Sequence, residues 1–303
     1  MEEREGMLAE EVGVWRRELD WDFGAAAGLV RRFVETGALS GYALEGEEGL
    51  AGYAYYVAEE PKSLIGDLFL RGGYWTAENE RALLGAVVGA SMGRRGVRRI
   101  EGQVMLLKWA RDGKLPGAPC VTSYPRYLMV GEVERLRELR PRAVEERALI
   151  DRWTERRQEE AAKLIAAAYR GHVDSLINDQ YGTAPGARRF LFNIVQYPGC
   201  GAFFPPGCWV ALERKTGRMC GVSLASLVSA EVGHITQICV SPEMRGQGLG
   251  TELLRRSVEA LGQSGAERVS LTVTKANEGA VRLYEGMGFG VKKEFDALVW
   301  QGW

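Results

Sequence analysis

Gln237-Ile-Cys-Val-Ser-Pro-Glu-Met-Arg-Gly-Gln-Gly-Leu-Gly250 is the stretch that decides how the chain is read. An apolar run reads as a strand, Pro242 marks a turn, and alternate glycines lead into an expected helix over Thr251–Leu261. That layout aims backbone N–H groups and the positive end of a helix dipole at one small volume, which suits a pyrophosphate. Arg245 is the only basic residue of the loop, and no acidic residue follows Glu243. Gly246, Gly248 and Gly250 lack Cβ atoms, so a ligand can come close to the main chain. A Walker loop is excluded because it needs a lysine. A Rossmann fingerprint is excluded because its Gly-x-Gly-x-x-Gly opens the first strand–helix unit, whereas this loop lies late in the chain. On spacing alone, a helix with a glycine-rich lead-in and no ligand fits as well.

The residues downstream narrow the reading. A second expected strand, Arg268–Thr274, is followed by Asn277-Glu-Gly-Ala-Val-Arg-Leu-Tyr-Glu-Gly-Met-Gly-Phe289. Arg-x-x-Gly-x-Gly after one strand and Asn-x-x-Ala-x-x-Leu-Tyr-x-x-x-Gly-Phe after the next, in that order, resembles the GNAT superfamily of acetyl-CoA-dependent N-acetyltransferases. The resemblance covers roughly residues 145–303. It implies acetyl-CoA (coenzyme A) as cofactor, with Ile238, Cys239 and Val240 offering main-chain groups to the pantetheine arm. It further implies that Arg245, Gly246, Gln247, Gly248, Leu249, Gly250 and Thr251 carry the diphosphate, and that Asn277 touches the cofactor arm while capping its helix.

Tyr284 has two readings. Ala280, Leu283, Tyr284 and Met287 fall at i, i+3, i+4 and i+7, an inward stripe; by resemblance, Tyr284 is the tyrosine that bonds the sulfur and protonates the leaving thiolate. A base is needed because amines arrive protonated. His234 occupies the position where some family members place a catalytic glutamate, and an imidazole suits the task. Glu231 is its rival, acting through a water. If the strand alternates regularly, His234, Thr236, Ile238 and Val240 share a face, which a bulge would break. Cys239 makes a ping-pong route thinkable, though no paired base is evident.

Size and composition set the frame. A chain of 303 residues fits two domains better than one. A net charge of −1 gives no general attraction to nucleic acid or to an anionic membrane. The acidic N-terminus and the lack of a long apolar run speak against a signal peptide or a membrane span. Five cysteines (Cys120, Cys200, Cys208, Cys220, Cys239) form no Cys-x-x-Cys pair, so reduced thiols and a cytoplasmic location are expected. Two histidines without clustered ligand spacing argue against a metal.

The charged stretch Glu132–Arg147 reads as an exposed helix ended by Pro141 and as the domain boundary. Beyond it come a strand at Ala148–Asp151, an amphipathic helix over Arg156–Arg170, a polar segment His172–Tyr181, and a helix near Ala187–Val195. A hairpin follows, Trp209–Arg214 with Met219–Ser229, and then the strand His234–Val240. The first half repeats this order: a helix near Phe23–Thr36, a hairpin around Gly46-Glu-Glu-Gly49, strand Leu64–Leu70, helix Ala77–Met92, strand Val97–Met105 and a strand near Tyr127–Val130. Its loop after Leu70 lacks the phosphate pattern, and Thr76, Glu78 and Glu80 complement the helix dipole where a pyrophosphate would otherwise sit. The expectation is therefore an α/β (α+β) fold of two tandem GNAT-like domains, each a mixed sheet flanked by helices. Residues 1–140 form a degenerate, catalytically silent copy and residues 145–303 the transferase.

The expected activity is acetyl transfer from acetyl-CoA to a primary amine, on a small molecule or a peptide, by direct attack. The alternative is a non-catalytic acyl-CoA-binding sensor. No nucleic acid or membrane partner is expected, and a homodimer is one option for assembly. His172, Asp174, Asn178, Asp179 and Tyr181, with the Pro198–Cys208 loop, are expected to line the acceptor pocket; a solvated loop fits the same residues.

Overall fold

The computed structural model of the chain describes residues 2–47, 49–108, 115–197 and 199–303. Glu48 of the expected hairpin turn and Pro198 of the expected acceptor loop lie outside the described residues. The first part of the chain runs α1 Glu2–Leu19, α2 Gly24–Glu35, β1 Ser40–Gly46, β2 Gly49–Glu59, β3 Lys62–Leu70, α3 Ala77–Met92, β4 Arg99–Gly102 and β5 Val121–Glu132. Then follow α4 Val133–Arg137, β6 Ala148–Arg152, α5 Gln158–Ala168, α6 Val173–Ile177, α7 Ala184–Gln196 and β7 Ala202–Phe203. The chain ends with β8 Trp209–Glu213, β9 Met219–Leu227, β10 Val232–Val240, α8 Leu249–Gln263, β11 Arg268–Thr274, α9 Glu278–Met287 and β12 Gly290–Gln301.

Two compact units result. The first comprises Met1–Leu19, Phe23–Arg126 and Glu294–Trp303; the second comprises Asp20–Asp22 and Tyr127–Lys293. The division thus differs from the expected boundary at residues 140–145, for two reasons. Leu298–Gln301 of β12 pairs antiparallel with β4, and Trp300 is fully buried in the first unit's core, its Nε1 donating to Pro116 O at 2.7 Å. The expected exposed helix over Glu132–Arg147 shrinks to α4, because Val133 and Leu136 are buried in the second unit and Val133 N bonds Glu267 O.

Each unit is a mixed sheet with helices. The first unit orders its strands β1-β2-β3-β4-β12, with only β3 and β4 parallel. The second orders them β5-β11-β10-β9-β8-β6, with β7 on β9, and β10 and β11 parallel. Leu249, Leu253, Leu254, Val258 and Leu261 recur at helical spacing and are buried, fixing α8 on the second sheet; each contributes about 1.5–3 kcal/mol by leaving water. Ser223 and Ser257 hydrogen-bond at 2.8 Å across the same contact. The expected apolar stripe Ala161, Leu164, Ile165 and Ala168 holds α5 to the core. No described helix is long and apolar enough to cross a membrane, and none of the five cysteines is in a disulfide.

Candidate functional site

The site begins with a strand that leaves its neighbour. β10 and β11 pair in parallel from Val232↔Arg268 to Ile235↔Leu271 and no further. β11 nevertheless runs on to Thr274, and β10 stays paired with β9 as far as Val240↔Gly221. From Thr236 onward, the edge of β10 that faced β11 therefore carries main-chain N–H and C=O groups without a strand partner, and such groups want one. The parting coincides with a bulge: Ile235 opposes Ala225 and Gln237 opposes Leu224, leaving Thr236 as the extra residue. Thr236 Oγ1 donates to Leu224 O at 3.1 Å.

The bulge corrects the expected shared face. His234 lies opposite Ser226, Gln237 opposite Leu224 and Cys239 opposite Val222, so these three share one face; Ile238 and Val240 lie on the other, the side of α8. Gln237 Nε2 donates to Tyr169 Oη at 3.0 Å, just past the end of α5.

The loop after β10 ends at a helix with no side-chain cap. Gly246 and Gly248 have φ of +72° and +80°, left-handed values that glycine adopts without strain. Gly248 is the N-cap of α8 and, lacking a side chain, caps nothing. The first-turn N–H groups of Leu249, Gly250 and Thr251 have no acceptor within the helix. A Cβ on Gly246 would meet nothing within 4 Å, so the space over the loop is open to a ligand. The diphosphate of coenzyme A fits such a cradle, and its extended arm fits the edge of β10. Arg245 is already tethered: Nη2 donates to Ala168 O at 2.7 Å, a carbonyl at the C-terminal end of α5, and Nε to Val240 O at 3.4 Å. In the first unit α3 is capped instead, with Thr76 Oγ1 accepting from Asn79 N at 3.2 Å. Glu80 there is buried and accepts from Trp75 Nε1 and Lys108 N.

Asn277 caps α9, its Oδ1 accepting from Ala280 N at 3.4 Å. Tyr284 is half-buried and meets Phe289 edge-on at 6.0 Å. Leu283, expected on the same inward stripe, is instead 44% exposed. Burial, then the charge of Asp174, push the Tyr284 phenol up to about 12. Asp174 is itself bound by Thr274, whose Oγ1 donates to Oδ1. Around it stand Tyr169, His172 and Tyr181. Tyr169 stacks on Tyr181 at 4.6 Å, meets His172 edge-on at 5.3 Å, and Tyr181 meets Phe190 at 4.8 Å. Part of the expected acceptor segment is thus brought beside Tyr284. His172 and Asn178 also cap short local turns.

The two expected bases are not brought there. Glu231 is exposed before the start of β10, its carbonyl holding Glu267 N and Arg268 N; at about 3.3 Å per residue it lies roughly 20 Å of strand from Ile238. His234 is 3% exposed, with Nδ1 2.9 Å from Ser270 Oγ and the Trp21 ring edge-on at 5.1 Å. It is a packed core residue. Burial pushes the Cys239 thiol up to about 12, so at neutral pH only about one molecule in 10⁵ would hold the thiolate a ping-pong nucleophile requires. Reasoning from the sequence missed two features, one of them without any signal. Asp20–Asp22 docks into the second unit, where Asp20 pairs with Arg268 at 2.7 Å and with Lys292; three polar and aromatic residues between helices give no signal of that. Tyr169 was legible, since it follows Ile165 by four residues on the inward stripe.

A parallel strand pair thus parts beside the uncapped, glycine-led start of α8. Residues 174–289 match the acetyltransferase (GNAT) family, and this stretch of the second unit is a GNAT domain. The chain is 36% identical over 95 residues to a mycothiol acetyltransferase of Thermobifida fusca, covering 29% of this chain and 29% of that protein. It is 39% identical over 101 residues to an N-alpha-acetyltransferase, MAK3, of Arabidopsis thaliana, covering 32% of this chain and 52% of that protein. The matches thus span about half of the second relative's length and less of the first. A tandem GNAT protein from the clavulanic acid biosynthesis pathway is similar in fold, with a TM-score of 0.60 at 15% identity, over 87% of this chain and 83% of that one.

Proposed function

We propose that the second unit transfers an acetyl group from acetyl-CoA to a primary amine by direct attack. The observation that carries this reading is the parting of β10 from β11 next to the uncapped start of α8. Bound acetyl-CoA would supply the acetyl group as a thioester. Arg245 to Thr251 would hold its diphosphate through main-chain N–H groups, and Ile238, Cys239 and Val240 its arm. A main-chain N–H on that edge of β10 would polarise the carbonyl under attack.

Tyr284 stays protonated across the working pH range, so it donates a hydrogen bond to the sulfur. Complete proton transfer from a phenol near 12 to a thiolate of ordinary pKa near 8.5 is uphill by about 5 kcal/mol. Hydrogen bonding in the transition state is the larger part of its role. With Cys239 held as a thiol, the neutral amine attacks the thioester without a covalent enzyme intermediate. The proton the amine carried is lost to water, the C–S bond breaks, and the thiolate leaves hydrogen-bonded to Tyr284 and takes its proton from solvent. Calorimetry with CoA, followed by thiol release from acetyl-CoA over a panel of amines, tests the reading. Binding without thiol release would make the protein an acyl-CoA sensor, and no binding would remove both.

A further inference from the structure

Asp174 is a mostly enclosed carboxylate that no lysine or arginine among the described residues pairs with. Its side chain is 13% exposed. Oδ1 accepts from the hydroxyl of Thr274, the last residue of β11, beside the cleft. The only ion-pair partner among the described residues is His172, whose Nδ1 stands 3.6 Å from Oδ2. That nitrogen also accepts a hydrogen bond from Asp174 N at 3.2 Å. An enclosed carboxylate is costly unless its charge is met. Its field reaches the surrounding phenols: it raises Tyr284 next after burial, and Tyr169 after burial, Tyr181 and Cys239. Tyr169, whose phenol feels the charge of Asp174, stacks on Tyr181, and aromatic rings attract ammonium groups.

We propose that Asp174 recognises the charge of the acceptor, so that the cleft takes amines bearing a second cationic group, seated against Asp174 and the rings of Tyr169 and Tyr181. This rests on the acetyl-transfer reading above. The second cation meets the carboxylate, while the reacting amine reaches the edge of β10 and Tyr284. A carboxylate-tailed acceptor of the same length would place like charges together.

The test compares 1,5-diaminopentane, 5-aminopentanol and 5-aminopentanoate on the full chain saturated with CoA, by calorimetry, and with acetyl-CoA, by thiol release. Wild-type protein is expected to bind the diamine at least tenfold more tightly than the amino alcohol, and the amino acid most weakly. Asp174→Asn, which keeps the shape and removes the charge, should erase that preference through KM while leaving the Kd for CoA unchanged. An equal response to all three acceptors in the wild type, or an unchanged preference in D174N, overturns the proposal. Because the wild-type order stands alone as a readout, it holds even if D174N folds poorly. Selective diamine binding without thiol release would sink the transfer reading and leave the charge recognition standing.

Discussion

Gly248→Ala separates a ligand cradle from a mere helix start. Gly248 has a φ of +80°, and an added Cβ would lie 3.3 Å from Arg142 Cβ and Cγ. A left-handed alanine costs about 1–2 kcal/mol, and the arginine stem must give a few tenths of an ångström. If the backbone relaxes towards negative φ, the first-turn N–H groups of α8 swing away from the volume they face. Hydrogen bonds to a charged group are worth about 1.5–3 kcal/mol each, so the loss of one weakens CoA binding roughly 10- to 100-fold. Gly217→Ala is the control. Its φ is +70°, with nothing within 4 Å of the added Cβ, and it lies in the turn between β8 and β9. Thermal unfolding should show a similar cost for both variants, while calorimetry should show lost CoA affinity in G248A alone. Wild-type affinity in G248A, or an equal loss in G217A, would refute the cradle.

Tyr284→Phe should lower kcat about 10- to 100-fold with the Kd for CoA unchanged, as expected for a lost hydrogen bond to developing charge. Since the phenol holds its proton to about 12, the wild-type rate should show no falling limb between pH 8 and 10 from this group, and a stopped assay across that range checks it. Glu252→Gln tests the buried anchor of α8. Despite burial, hydrogen bonds from Arg255 and Arg256 hold its carboxyl down at about 2, a depressed value whose stabilisation is present above the ordinary carboxylate range. The variant should lose about 1–3 kcal/mol at pH 7, a gap that closes as pH falls from about 4.5 towards 2, as urea unfolding at several pH values would reveal.

How much of this was legible depended on range. α3 matched the expected helix Ala77–Met92 residue for residue, and β11 the expected strand Arg268–Thr274, because apolar period and flanking turn residues act within a few residues. The glycine-led, uncapped start of α8 was legible too, since glycine spacing and strand-to-helix order fix its geometry locally. The bulge at Thr236 was not: it is set by cross-strand register, and it moved His234 away from Ile238 and Val240. Nor was the burial of His234, since Trp21, the residue that covers it, lies more than two hundred positions earlier in the chain. Asp174 was legible as a polar group but not as a partner of Thr274, a pairing that only the fold creates.

The same register recurs in the first unit and explains why that copy differs. β3 and β4 pair in parallel from Lys62↔Arg99 to Ile65↔Gly102, and then Gly66 is the extra residue against β2, as Thr236 is in β10. Asp67 is therefore the counterpart of Gln237. Where Gln237 meets Tyr169, Asp67 meets Glu11 of α1, with Tyr53 Oη donating to Glu11 Oε2 at 2.5 Å. Both carboxyls are buried, and like charges held close together away from water favour keeping a proton on one of them. Burial, and for Glu11 also the charge of Asp67, hold the pair above the ordinary carboxyl range. The folded state thus keeps a proton that the unfolded chain releases above about pH 4, so this pair lowers stability as pH rises towards the raised values. Glu11→Gln keeps a hydrogen-bond donor facing Asp67 without requiring that proton, so its unfolding free energy should fall less steeply between pH 6 and 9 than the wild type's. An unchanged slope in denaturant unfolding would mean that the pair does not hold a shared proton.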